Sequence, residues 1–254
     1  MQLDGLGIIV TGAANGIGAA TLAAYVREGA RVAALDVEDD AGRARVATLG
    51  ESARYFHCDV SRKREVDAVF ADAVAWLGRL DVLAHVAAIE GSGPAESLSE
   101  DDWARMLAVN LMGTVFTNQA AFRHMKERGG RIINFGSGAA VRGMVGASHY
   151  AASKGGVQAF TRTAAQEWGG YGVTVNAVAP AAWTRMYDAY LERLGEVGRE
   201  MALETMQRMI PLGGKLGDPE RDVAPVMVFL ASPAAHFITG QLIAVDGGMV
   251  MLGA

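Results

Sequence analysis

A chain of 254 residues with 51% hydrophobic and 20% charged side chains holds enough apolar material for one large core. A formal net charge of −5 without a basic cluster argues against nucleic acid as a partner, and the single cysteine, Cys58, excludes an intrachain disulfide and a cysteine-based zinc site. The five histidines are too scattered for a metal, and there is no signal-peptide pattern or bilayer-spanning apolar run, so a cytoplasmic protein without membrane or metal partners is expected.

The first predicted strand is the apolar run Ile8-Ile9-Val10. It breaks into Thr11-Gly12-Ala13-Ala14-Asn15-Gly16-Ile17-Gly18 and resumes as a helix over 19–26. Strand, glycine turn and helix together present backbone N–H groups to a phosphate. Gly12 suits the tight turn, Gly16 a bare approach to a pyrophosphate, and Gly18 close packing of helix on strand. The second strand, 31–36, ends in Asp36, at the place where an acid accepts hydrogen bonds from the ribose hydroxyls of NAD and repels the 2′-phosphate of NADP. Asp36 would otherwise serve as a helix cap, a task that Asp39 is placed to take. NAD(H) is therefore the expected cofactor.

Helices are predicted over 40–49, 63–77, 100–127 with Ser99 as cap, 149–168 and 219–230, with a methionine-rich helical insertion over 186–209. Between them run strands over 54–60, 80–86, 131–135, 173–178 and 241–245. Strand and helix alternate, and the strands are rich in Val and Ile on both faces. That pattern predicts an α/β fold: a single doubly wound Rossmann-type domain over 1–254, with a seven-stranded, mostly parallel sheet covered by helices on both faces. Ligands of such a sheet sit at the carboxyl ends of its strands.

Tyr150-Ala-Ala-Ser-Lys154 places a phenol and an ammonium on one face of a helix. A free tyrosine, with a pKa of about 10, is a poor base near neutrality, and a fixed cation nearby favours its phenolate. Such a tyrosine exchanges a hydroxyl proton while hydride moves at the adjoining carbon. The same spacing also occurs in purely structural helices, and the pair gains weight from its neighbours. Ser137 follows the fifth strand, either orienting a substrate oxygen or making a turn between Gly136 and Gly138. Asn110 lies among apolar residues, where a buried amide needs partners; it either holds a water connecting Lys154 to solvent or bonds a neighbouring backbone.

With these motifs in order, the sequence resembles the short-chain dehydrogenase/reductase family, in its shorter single-domain branch. The likeness runs through the glycine motif, Asp59-Val60, Asn110, Ser137, Tyr150 and Lys154, 176–180, 238–241 and 245–248. It implies a tetrad: Tyr150 as general acid/base, Lys154 tuning it and binding ribose, Ser137 polarising the substrate carbonyl and Asn110 holding a relay water. It also implies cofactor contacts from Gly12, Asn15, Gly16, Ile17, Gly18, Asp36, Asp59, Val60, Ala87, Ala88, Tyr150, Lys154, Pro180 and Thr184. Asp59 and Val60 would meet the adenine end and Thr184 the nicotinamide amide.

The chain departs from the family where Asn-Asn-Ala-Gly usually follows the fourth strand; here stands His85-Val86-Ala87-Ala88. His85 either replaces a lost hydrogen bond or is merely packed at a strand end. Pro180 is followed by Ala181 instead of the usual glycine, and Thr184 lies one residue nearer the proline than in most members. The variable substrate wall is expected over 183–212, where Met186, Tyr187, Tyr190 and further methionines supply adaptable apolar surface or pack as helices on the sheet. Met144, Val145, His149 and Trp183 flank the tetrad as pocket candidates.

The expected activity is hydride transfer between NAD(H) and a secondary alcohol or ketone. Two alternatives stand beside it. One is a reductase of carrier- or CoA-bound 3-oxoacyl groups, with Arg142 and Arg185 as the basic candidates at the pocket mouth. The other is a non-catalytic NAD-binding regulator. The resemblance implies a homotetramer or homodimer, with 100–127, 149–168 and the C-terminal run to Leu252 as interface material.

Overall fold

The computed structural model describes residues 1–184, 187–188, 191–192 and 194–251. The expectations placed on Arg185, Met186, Tyr190 and Leu252 lie outside the described residues. The strands are β1 (Gly7–Thr11), β2 (Arg31–Asp36), β3 (Ala53–His57), β4 (Val82–His85), β5 (Gly130–Phe135), β6 (Val173–Pro180) and β7 (Leu242–Val245). They form one sheet in the order β3-β2-β1-β4-β5-β6-β7, every pairing parallel. The order reverses between β1 and β4, which opens a crevice at their carboxyl ends, where Thr11 lies opposite His85.

Alternate strand residues feed two cores, as the period of a strand requires. Ile8, Val10, Val32, Ala34, Val82 and Ala84 pack with α1 (Gly16–Arg27) and the helix near the C-terminus, Ala224–Ala231. Ile9, Ala33, Leu35, Leu83 and Ile132 face the opposite side, against α3 (Lys63–Leu77) and the helices over 113–125 and 148–168. The stripe Val66, Phe70, Ala73 and Leu77 buries α3, which ends at Gly78 in the left-handed region, φ +85°.

Several expected elements differ: the third strand ends at His57 instead of running to 60, and the helix over 219–230 opens with a π-helical turn at Pro219–Val223 before its α-helical part. The helix over 40–49 is α2 (Asp39–Ala47), and Asp39 opens it without capping it: its carboxylate accepts from the Tyr55 hydroxyl at 2.8 Å and bonds His57 Nδ1 at 2.7 Å. The helix over 100–127 starts as expected, in a capping box between Ser99 and Asp102. It is then divided into α4 (Glu100–Met106), a π-helical turn at Leu107–Met112, and α5 (Gly113–Met125). The apolar periodicity is continuous across that turn, so no residue pattern announces it.

After β5 come α6 (Ala139–Arg142) and α7 (Ser148–Trp168), and after β6 come α8 (Gly195–Met209) and α9 (Ala224–Ala231). No residue of α8 is buried, so this part of the insertion stands off the sheet, anchored by the buried Leu191 and Ile210 at its flanks. Among the described residues no helix is long and apolar enough to cross a membrane, and no cluster of His, Cys, Asp and Glu is arranged to hold a metal ion.

Candidate active site

The glycine loop lies at the crevice between β1 and β4. Gly12 turns with φ +66°, and a Cβ there would stand 2.8 Å from the backbone of Ala87. Gly16 turns with φ +52° and faces the Thr184 methyl. At Gly18 a Cβ would meet the Gly12 carbonyl oxygen at 1.9 Å, so α1 can sit this close to the turn only with glycine there. Asn15 makes no side-chain cap bond to α1; its amide donates to Glu38 at 2.9 Å. The first-turn N–H groups of a 12-residue helix are thus presented beside a cradle kept bare of side chains, which fits a dinucleotide's pyrophosphate.

Asp36 closes the far side of this loop. Its carboxylate accepts from the amides of Ala14 at 2.9 Å, Val37 at 2.7 Å and Glu38 at 3.1 Å. The carboxylate is held rigidly at the end of β2, next to the turn where a dinucleotide's ribose would lie. Asp59 is held in the turn that precedes α3 instead of projecting freely: Ser61 donates to it through N–H at 3.0 Å and O–H at 2.7 Å, and Arg62 Nε at 3.1 Å. Burial works to raise its pKa, and the Ser61 and Arg62 bonds outweigh that and lower it. Val60 is buried beside Gly113, where a Cβ would come within 2.8 Å of its methyl. Ala88 follows in the same loop as Ala87, and Pro180 ends β6 opposite Val245.

Ser137, Tyr150 and Lys154 come together at the next strand end. The Tyr150 hydroxyl bonds Ser137, and Lys154 Nζ lies 5.9 Å from the Tyr150 ring centre. Lys154 is buried, donates to the Phe135 carbonyl at 2.9 Å, and has its pKa lowered by burial to about 8. Burial also raises the Tyr150 pKa; the Ser137 bond opposes that rise and the Glu90 carboxylate adds to it. In the protein alone, burial therefore dominates over the lowering expected from Lys154.

Asn110 sits in the π turn, fully buried, and uses its side chain on the loop after β4. It accepts from the Ile89 amide at 2.8 Å and donates to the Ile89 carbonyl at 2.9 Å. It also donates to Ser153 Oγ at 3.2 Å, and Ser153 in turn bonds the Tyr150 carbonyl at 2.7 Å. Of the two readings open in the sequence, bonding to a neighbouring backbone is what this side chain does.

His85 is buried at the end of β4. Its Nδ1 lies 3.0 Å from both Thr11 Oγ1 and Thr117 Oγ1, and Thr11 Oγ1 also accepts the Ala87 amide at 3.2 Å. The imidazole thus ties the end of β1 to α5, and Thr11 links both to the loop after β4, in the segment where the family's amides are missing. Burial, reinforced by the Lys154 charge, lowers its pKa to about 3, so it is neutral at physiological pH.

The pocket candidates separate. His149 is buried, with its ring edge-on to Trp103 at 6.1 Å, so it belongs to the wall behind Tyr150. Met144 and Val145 are exposed on the turn after α6. Trp183 packs edge-on to Tyr187 at 5.2 Å, bonds Asp188 at 2.8 Å, and helps line a cleft of about 270 Å³ with Leu203, Met206 and Leu216. None of the tetrad residues lines that cleft. Sequence reasoning passed over Thr11 and Ser153 as site residues. Their signal is positional: each lies at a strand end or helix face that only the assembled sheet brings together.

Comparison with known proteins agrees with this arrangement. The profile of a family described as "Enoyl-(Acyl carrier protein) reductase" matches residues 12–250. The chain is 42% identical to the short-chain reductase protein NovJ of Streptomyces niveus, covering 94% of this chain and 92% of that protein. It is 40% identical to D-threitol dehydrogenase of Mycolicibacterium smegmatis over 97% of this chain and 94% of the relative. It is 37% identical to the 3-oxoacyl-[acyl-carrier-protein] reductase FabG of Thermotoga maritima over 99% and 100%. With the glycine cradle after β1 and the Ser137-Tyr150 pair after β5 on the same carboxyl side of the sheet, this likeness along nearly the whole length establishes an oxidoreductase, and the chain belongs to the short-chain dehydrogenase/reductase family.

Proposed function

We propose that this protein transfers hydride between NAD(H) and a secondary alcohol or ketone, acting as one catalytic unit with 183–212 as its substrate wall. The observation that carries the reading is the Tyr150 hydroxyl bonded to Ser137, one helical turn from a buried Lys154. Bound nicotinamide would supply the hydride acceptor or donor. Tyr150 then takes the proton from the alcohol oxygen, or returns it in the reduction direction. Ser137 holds that oxygen, and the Lys154 cation stabilises the phenolate that forms at Tyr150. Asn110 contributes by fixing the loop after β4 and, through Ser153, the start of α7.

Asp36 supports NAD(H) over NADP(H), and it stands in acidic company, with Glu38 and Asp39 beside it. A 2′-phosphate would meet this cluster at close range, at a cost of several kcal/mol if desolvated. Relatives named for a polyol and for a 3-oxoacyl carrier substrate suggest two branches. The acidic cofactor end, which disfavours NADPH, supports the alcohol branch over the 3-oxoacyl one. Calorimetric titration with NADH and NADPH tests the cofactor reading. NADH binding at least about tenfold tighter is expected; tighter NADPH binding would overturn the role of Asp36 and promote the 3-oxoacyl reading.

A further inference from the structure

His85 stands at the end of β4, opposite Thr11 of β1, and is buried. Its Nδ1 faces the hydroxyl oxygens of Thr11 and Thr117, each at 3.0 Å, while its Nε2 is buried and has no polar partner among the described residues. A neutral imidazole carries one proton, so the surroundings select the nitrogen that holds it. The Thr117 hydroxyl is within reach of the Gly113 carbonyl at 2.9 Å and the Thr114 carbonyl at 3.1 Å. With its proton turned to either of them, its oxygen meets Nδ1 as an acceptor. A bare Nδ1 would then face that oxygen lone pair to lone pair, and an Nε2–H would be buried without an acceptor. A protonated Nδ1 serves both threonine oxygens and leaves only one acceptor unfilled. The surroundings therefore select the Nδ1–H tautomer.

The contacts continue from Thr11 into the crevice. Thr11 Oγ1 accepts the Ala87 amide at 3.2 Å. Gly12, the next residue, turns so close to Ala87 that a Cβ there would stand 2.8 Å from the Ala87 backbone. A shift of Thr11 or of Ala87 therefore displaces the first glycine of the dinucleotide cradle. We propose that His85 is a positioning residue for the cofactor: its Nδ1–H anchors Thr11 to Thr117 on α5, and through Thr11 it holds the Ala87 backbone against the glycine turn. His85 itself touches neither cofactor nor substrate in this role. The assignment deepens the dinucleotide-binding reading above and rests on it.

The test is calorimetric titration of wild type, His85→Leu, His85→Asn and Thr11→Val with NADH and NADPH, following the nucleotide that the wild type binds more tightly. Thermal unfolding of each variant establishes that it is folded at the titration temperature. His85→Leu keeps an apolar side chain of similar bulk and removes the donor, so its Kd should rise about 10- to 100-fold. His85→Asn puts an amide N–H about where Nδ1–H stood and should bring the Kd back to within a few-fold of wild type. Thr11→Val should weaken binding as His85→Leu does, and the double variant should bind about as well as either single one, because both act through one bond. A histidine that only stabilises the fold would lower the Tm of His85→Leu and leave its Kd unchanged. Nitrogen-15 spectra of the wild type, assigned by the signal missing in His85→Asn, should show the His85 proton on Nδ1. Wild-type affinity in folded His85→Leu or Thr11→Val, affinity that His85→Asn does not restore, or a proton on Nε2 overturns the role of His85 alone. If His85→Leu does not fold, Thr11→Val, His85→Asn and the spectrum decide. A wild type that binds neither nucleotide overturns the dinucleotide-binding reading, and the role of His85 with it.

Discussion

At the scale of single residues, the chemistry of this site depends on which polar groups are buried and what they hold. His85 shows this most directly. An unfolded chain's imidazole titrates near 6.5, whereas the folded protein keeps it neutral down to about 3. Between those values the unfolded state binds the extra proton. Stability from this group is therefore complete above about pH 6.5 and is lost as the pH falls, by up to about 1.4 kcal/mol per unit. Urea unfolding at about pH 7 and about pH 5 should show His85→Asn losing about 2 kcal/mol less than the wild type over that interval. Equal losses would place the acid sensitivity elsewhere. The sequence marked His85 as a departure and left its role open, because the two threonines that bond it lie 74 and 32 positions away in the chain. Tyr150, Lys154 and Ser137 were singled out because together, in order along the chain, they match the motif of the family the sequence resembles; any one of them alone reads as structural.

At the scale of elements, the strand-turn-helix unit at the N-terminus is where local pattern and tertiary geometry agree. The three glycines were assigned separate roles from the sequence, and the close approaches at Gly12 and Gly18 are those the roles require. Gly18→Ala forces its methyl against the Gly12 carbonyl. It should destabilise the protein by about 1–3 kcal/mol and weaken NADH binding at least about tenfold, measured by thermal unfolding and calorimetry. Wild-type stability and affinity would mean that the loop tolerates another path. The helix over 100–127 shows where pattern falls short. A π turn adds one residue to the ring of each hydrogen bond without altering which residues are apolar. The turn surrounds Asn110, whose side chain reaches Ile89, and so a functional distortion hides inside an unbroken helical pattern. The insertion differs for another reason: its methionines suit a protein core, a partner surface and a substrate wall alike, and in α8 none of them is buried.

At the scale of the whole molecule, alternating strands and helices were enough to specify a doubly wound sheet, because parallel strands buried on both faces need helical crossovers. The parallel order places the glycine loop, Asp36, the loop after β4 and Ser137 along one edge. The surface also carries apolar residues that a lone subunit leaves in water, among them Phe229, Phe237 and Met251, with Phe237 94% exposed. We therefore expect sedimentation at micromolar concentration to report a dimer or tetramer; a monomer would contradict this. The central claim is that this edge performs alcohol–ketone interconversion with Tyr150 as the proton carrier. The most direct measurement is the rate of NADH formation from NAD and a secondary alcohol by wild type and Tyr150→Phe, with NADH affinity measured for both. The account predicts turnover by the wild type, a loss of at least about 1,000-fold in kcat in the variant, and NADH binding within a few-fold of wild type. Turnover retained by Tyr150→Phe would contradict it.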